Sequence, residues 1–357
     1  MTATTLAGAH APPDIRRGWI QSPEFDLPMF VLSPLLGLGF LALARGVPAE
    51  YAFMVPAAAF YFVAVPHYMS TYTFFLGDDN LQYYRSRRLA FFGGPAFITL
   101  AVVVLWVLRF PPVIQAAVFV WNVWHVARQN SGILAMYRRL NAGSHTEHLP
   151  ANLAILGVSA GMAFWHIERY PPIGRALTAL HPEASHALAL AFLGLGAAAL
   201  ALYLRRLAAR DRAASPQELG FLVSSLAMFH PYLWVRDYTL ATLGMLMGHF
   251  VQYLAIVWLL HRRKYAPLHT GSSAQRLLAR VSARYVLIGA FIAVSGFFFI
   301  AANHTTAAIG MPSVYTVSWF AFTFIHFYLD GLIWAFRRPF VRESVGTYLM
   351  PASRVAA

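Results

Sequence analysis

Ten stretches of about 20 mainly apolar residues, joined by short polar connections, take up most of this chain. A run of that length is what an α-helix needs to cross the hydrocarbon core of a bilayer. The stretches fall at roughly 27–45, 51–76, 90–109, 112–136, 150–167, 186–204, 219–235, 238–260, 282–302 and 314–336. Pro and Gly punctuate the joins, as at Pro111-Pro112, Pro171-Pro172 and Gly310-Met311-Pro312. Composition agrees with lipid as the solvent: 59% of residues are hydrophobic and 11% charged, against about 25% charged in a soluble domain. The expected fold is all-α, a polytopic transmembrane helical bundle of about ten spanning helices. It comprises a cytoplasmic N-terminal segment (1–26), a single transmembrane domain (27–340) and a cytoplasmic tail (341–357).

The charges orient the bundle. With the N-terminus placed in the cytoplasm, the inner loops receive the basic clusters at 85–88, 138–139, 205–212, 262–284 and 337–342. The outer loops receive only Arg45, Arg109, Arg169, Arg175 and Arg236, a bias of about four to one that follows the positive-inside rule. Both termini are thus expected in the cytoplasm, and Arg128 is left well inside a span. The formal net charge of +13 reads as cationic loops facing anionic lipid. No basic, aromatic-interleaved domain exists to bind nucleic acid. The chain has no cysteine, which excludes disulfides, thiolate metal sites and cysteine nucleophiles. Any metal must be held by His, carboxylate or carbonyl groups. The first apolar run begins near Leu27, too far in for an ordinary signal peptide, so it reads as a retained helix. The Ala/Arg-rich composition and the lack of targeting signals lead us to expect a bacterial inner membrane.

Five histidines lie inside the expected spans: His67, His125, His230, His249 and His326. Ionisable groups at such positions are costly and point to function. Counted back from the inner ends of their helices, His67, His125, His249 and His326 reach one level near the bilayer centre, at about 1.5 Å per residue. Their four helices all run from outside to inside. His230 reaches a similar depth from the other direction. A single intramembrane histidine is often a helix–helix hydrogen bond. Several at one depth are costly to bury separately, and a shared metal satisfies them together, because neutral imidazole is the commonest metal ligand.

The neighbouring residues add to this reading. His125 sits in the polar stretch Trp121-Asn122-Val123-Trp124-His125-Val126-Ala127-Arg128-Gln129-Asn130-Ser131-Gly132. Asn122 and Gln129 share its helix face and can orient the ring. Arg128 falls near that face and can hold a carboxylate or an anionic intermediate. Arg128, Gln129 and Asn130 are therefore the candidate catalytic residues. His326 is followed one turn on by Asp330, which with His230 stands as a further candidate ligand. His67 follows Pro66, which loosens the helix behind it, and precedes Ser70, Thr71, Tyr72 and Thr73. His249 has Gln252 and Tyr253 three and four residues on. His145, His148, His181 and His186 read as loop residues, and His166, beside Glu168, as an outer-interface anchor.

The contexts Val65-Pro66-His67, Trp124-His125, Gly248-His249-Phe250 and Phe324-Ile325-His326, with Asp330 and Phe336-Arg337-Arg338-Pro339 closing the last helix, resemble the membrane-integral Brp/Blh family of carotene dioxygenases. The resemblance implies a non-haem iron held by His67, His125, His249 and His326, and cleavage of a carotenoid by O₂. The chain departs from the family pattern at Tyr68, where a glycine follows the first motif histidine, and at Arg128-Gln129-Asn130, where an aspartate would stand. The leading expectation is therefore an Fe(II) non-haem, O₂-dependent oxidoreductase acting on a lipid-soluble substrate from the bilayer: a carotenoid, another isoprenoid or an acyl chain. Two other classes fit the same histidines: a haem b protein with bis-His ligation, and a transporter whose pathway they line.

Overall fold

The computed structural model describes residues 18–142, 148–181, 183–209, 214–265 and 271–350. Both terminal stretches and His145 lie outside that range. In chain order the helices are α1 (Pro23–Val31), α2 (Pro34–Gly46), α3 (Ala49–Leu76), α4 (Asp78–Ser86), α5 (Leu89–Val107), α6 (Pro111–Ala142), α7 (Leu149–Arg169), α8 (Pro171–Leu180) and α9 (Ala184–Ala208). They continue with α10 (Pro216–Ala227), α11 (Pro231–Trp234), α12 (Tyr238–Tyr265), α13 (Ser273–Ala283), α14 (Tyr285–Ala308) and α15 (Pro312–Ile333), and a short helical stretch over 339–349 follows. The protein is an all-α, multi-spanning membrane bundle. Among the described residues, seven helices are long and apolar enough to cross a membrane, namely α3, α5, α7, α9, α12, α14 and α15.

Three of the ten expected spans take other forms. The 27–45 stretch is the pair α1 and α2, bent by 62°, and counts as an eighth span only if the pair is taken as one. The break falls at Leu32-Ser33, ahead of Pro34, and the carbonyl it frees at Phe30 accepts from Ser33 Oγ at 2.8 Å, Ser224 Oγ at 3.1 Å and Gln252 Nε2 at 3.3 Å. Non-helical backbone survives at membrane depth only when it is satisfied in this way. The 219–235 stretch does not form one helix. α10 has 12 residues, about 18 Å, which is short of the roughly 30 Å core. Pro231 has no N–H to continue it, so α11 starts afresh. The 112–136 stretch is part of α6, whose 32 residues measure about 48 Å. Length suffices there, but the polar stretch around His125 keeps α6 out of the apolar set.

α12 is the axis of the bundle: 83% of its apolar window is buried inside the protein, against 11% for α5 and for α14. α2 crosses it where Gly37 meets the backbone of Gly244. Gly248 lies against the α1–α2 break, where an added Cβ would stand 2.8 Å from Ser33 O. Both contacts need a residue without a side chain. Two basic or titratable residues sit deeper than the sequence suggests. Arg138, counted among the loop cations, is 2% exposed and lies 3.5 Å from Glu218, which also accepts from Tyr203 Oη at 2.5 Å. His166, read as an interfacial anchor, is fully buried between Tyr232 and Tyr238.

Candidate metal centre

α3, α6, α12 and α15 each carry a histidine and, four residues on, a hydrogen-bonding side chain: His67 and Thr71, His125 and Gln129, His249 and Tyr253, His326 and Asp330. Residues four apart share a helix face, one turn above the other. Contacts between α3, α12 and α15 pair histidine with histidine and partner with partner, as parallel helices require. The result is two stacked layers.

The histidine layer is closed. His67, His125, His249, His326 and Asp330 are each at most 6% exposed. Ring centroids stand 4.6 Å apart for His67–His326, 4.7 Å for His67–His249 and 5.1 Å for both His125–His249 and His125–His326. Phe250 and Phe327 wall the cluster at 4.8 Å from His67 and 4.6 Å from His125. Tyr68 caps it 4.7 Å from His326. Local backbone helps to place His67. Pro66 has no N–H, and the preceding stretch Phe60–Ala64 widens to a π turn in which Val65 N–H reaches back to Phe60 O. Such turns recur at functional sites.

Donor atoms converge within this layer. Ligand atoms of His67, His125 and His249 all lie within 4.8 Å of one another, and so do those of His125, His326 and Asp330. His67 Nε2 is 3.0 Å from His326 Nε2. Two nitrogens that share an ion at about 2.1 Å also stand about 3 Å apart when they occupy neighbouring corners of its shell. Asp330 Oδ2 lies 3.7 Å from His326 Nε2 and 3.9 Å from His125 Nε2. His67 Nδ1, His125 Nε2, His249 Nδ1 and Asp330 Oδ2 are buried without a hydrogen-bond partner. Orphaned groups of this kind are rare and expensive. A cation in their midst meets several at once, and the donor set of imidazole and carboxylate suits a first-row transition metal.

The second layer orients the first. Thr71 Oγ1 and Tyr253 Oη both donate to Asp330 Oδ1, at 3.0 and 2.6 Å. With its one proton so used, Thr71 Oγ1 accepts from His326 Nδ1 at 2.8 Å. That assigns the N–H of His326 to Nδ1 and leaves the Nε2 lone pair facing the cluster. Trp334 Nε1 donates to Tyr253 Oη at 3.4 Å. On the opposite side, Gln129 Nε2 donates to His249 O at 3.0 Å and to Gln252 Oε1 at 3.2 Å. Gln252 in turn donates to Ser33 Oγ at 2.8 Å. The backbone of His249 is thereby tied to the α1–α2 break.

The remaining sequence candidates stand elsewhere. Arg128 is exposed, with its guanidinium over the Trp124 ring at 5.9 Å, and does not face His125. Asn130 is fully buried and donates to Val126 O at 3.0 Å, within its own helix. His230 is half-buried, bonds Ala227 O through Nδ1 at 2.9 Å and stacks near Trp234, away from the cluster. The residues to which the sequence reading gave no role are Thr71, Tyr253, Gln252 and Ser33. The first two had a signal, since each lies four residues after a histidine. Ser33 had none, because its partner is 219 residues away.

No protein-family model matches the chain, and comparison with curated proteins and with solved structures finds no match.

Proposed function

We propose that this membrane protein is a non-haem iron oxygenase that acts on a lipid-soluble substrate within the bilayer. The observation that carries the proposal is the convergence of four buried histidines and one carboxylate with four of their polar atoms unpartnered. Within that set His125, His326 and Asp330 have the two-histidine, one-carboxylate composition of non-haem Fe(II) oxygenases. The motif resemblance to the Brp/Blh carotene dioxygenases points the same way. His67, His125, His249 and His326 would hold the ion, with Asp330 as the fifth donor. Bound there, Fe(II) would supply O₂ activation.

The other parts have definable tasks. Thr71 holds His326 in the ligating tautomer. Tyr253 and Thr71 fix one oxygen of Asp330 and leave the other free. Gln129 holds His249 in place through its carbonyl. Phe250, Phe327 and Tyr68 exclude water and present an apolar wall to a hydrocarbon chain. Direct contact of these rings with the imidazoles favours a bare ion over a porphyrin plane set between two histidines.

The test is elemental analysis and absorption spectroscopy of detergent-purified protein. About one iron per chain without a Soret band is expected. Alanine at His67, His125, His249 or His326 should strip the iron and leave membrane insertion intact. Full iron retention in two of those variants would overturn the ligand set, and a Soret band would transfer the site to haem.

A further inference from the structure

α6 presents its histidine inward and an arginine outward at nearly the same depth. Arg128 lies three residues after His125, about 4.5 Å along the axis. It is 17 residues from Pro111 and 14 from Ala142, so about 25 and 21 Å from the two ends of α6. Its neighbours on the outer face are apolar and exposed: Val113 at 50%, Val120 at 58% and Trp124 at 45%. That is the profile of a lipid-facing stripe. One turn further on is Gly132, where an added Cβ would meet nothing within 4 Å, so the surface beside Arg128 is open. Among the described residues no carboxylate pairs with Arg128 and no hydrogen bond holds it; its one contact is the Trp124 ring.

A guanidinium in an apolar, lipid-facing stripe is costly unless something anionic meets it. No described residue supplies one, so the counter-charge comes from the lipid phase. A partner that reaches this depth must carry an apolar chain. Its head must match a planar, five-donor cation that pairs with carboxylate or phosphate through two parallel bonds. Trp124 holds the guanidinium against its ring face and adds a flat apolar surface for the first methylenes. We infer that Arg128 and Trp124 form the docking point for the anionic headgroup of an acyl amphiphile. This rests on the oxygenase reading and narrows it: the substrate is an acyl chain with a carboxylate or phosphodiester head, not a neutral hydrocarbon. His125, about 60° round α6 and about 4.5 Å along it, sets the iron ligands beside the level at which this head would anchor the chain.

Spin-label electron paramagnetic resonance in phosphatidylcholine bilayers tests this without recourse to turnover. The probes are chain-labelled stearate at a pH where it is ionised, its methyl ester and chain-labelled phosphatidylglycerol. In the native protein a severalfold excess of motionally restricted stearate or phosphatidylglycerol over the ester is expected. Stearate preference indicates a carboxylate head, and phosphatidylglycerol preference a phosphodiester. Arg128→Leu should remove most of that excess, and Arg128→Lys should keep part of it. Unchanged selectivity in Arg128→Leu, or no preference over the ester in the native protein, overturns the inference. Iron is measured on the same samples. Iron retained with selectivity lost in Arg128→Leu separates the docking point from the metal centre. Selectivity without iron in the native protein counts against the oxygenase and leaves the lipid site standing.

Discussion

Thr71→Val removes one hydroxyl at nearly constant volume and so tests the link between the two layers. The native oxygen sits 2.6 Å from Tyr253 Oη, 2.8 Å from His326 Nδ1 and 3.0 Å from Asp330 Oδ1. Without it the Nδ1–H of His326 has no acceptor in a buried site, which costs about 1–3 kcal/mol. His326 relieves that cost by moving its proton to Nε2 or by rotating, and either change withdraws the lone pair that faces the metal. Loss of such an outer-shell partner typically lowers metal affinity by about 10–100-fold, or about 1.4–2.8 kcal/mol. The assay is competitive titration of the purified protein against a chelator with Co(II), whose visible absorption reports its ligands, followed by anaerobic Fe(II). Thr71→Ser keeps the hydroxyl and should bind within about threefold of the native protein. Native affinity in Thr71→Val would refute the tautomer argument. A loss in Thr71→Ser with none in Thr71→Val would show that the methyl group, not the hydrogen bond, sets the site.

Gly248→Val should lower the thermal stability of the detergent-solubilised protein by about 1–3 kcal/mol and weaken metal binding with it, because the new Cβ meets Ser33 O at 2.8 Å and Met228 Sδ at 2.9 Å beside His249. Glu218→Leu should cost about 3–5 kcal/mol, since it removes a buried carboxylate that lies 3.5 Å from the buried Arg138 and accepts from Tyr203 Oη; the readout is the thermal midpoint, with metal content per folded chain unchanged. His125→Leu should raise the midpoint of the metal-free protein, as it deletes an unpartnered buried nitrogen worth about 1–3 kcal/mol, and lower the midpoint relative to native once both are given metal.

Much of this arrangement is written into local spacing. Apolar runs long enough to span are visible one at a time, and seven of the ten became the helices α3, α5, α7, α9, α12, α14 and α15. Depth is visible too, because a histidine's distance from the end of its helix converts directly into ångströms. Interruptions proved harder to read. At Pro231 and at Ser33-Pro34 the hydropathy continues while the backbone cannot, and which chain satisfies the freed carbonyl of Phe30 depends on Ser224 and Gln252, some 200 residues away. Rotation about the helix axis was the other gap. Three residues after His125 is about 300° of turn at 3.6 residues per turn, and four residues is about 400°, so Arg128 and Gln129 fall on opposite sides of that histidine. Gln129 swings toward α12 and Arg128 toward lipid. Spacing alone could not choose between them, because which flank is covered depends on the neighbouring helices.

The second layer bears on what kind of membrane function the buried histidines serve. A transport pathway needs groups that change partners as a substrate passes, and broken helices whose free backbone faces the cavity. Here the broken helix exists, but its free carbonyl at Phe30 already has three donors and faces the bundle. Thr71 and Tyr253 each commit their one hydroxyl proton to the same oxygen of Asp330. Gln129 and Gln252 lock the backbone beside His249 in the same manner. Side chains so committed cannot hand a substrate from one to the next without breaking several buried hydrogen bonds, each left unsatisfied at about 1–3 kcal/mol. The atoms they leave free point inward, at distances an ion can bridge. Hydrogen bonds that fix Asp330 Oδ1 and the backbone beside His249, with His125 Nε2 and Asp330 Oδ2 left unpartnered, describe a rigid cluster able to hold an ion.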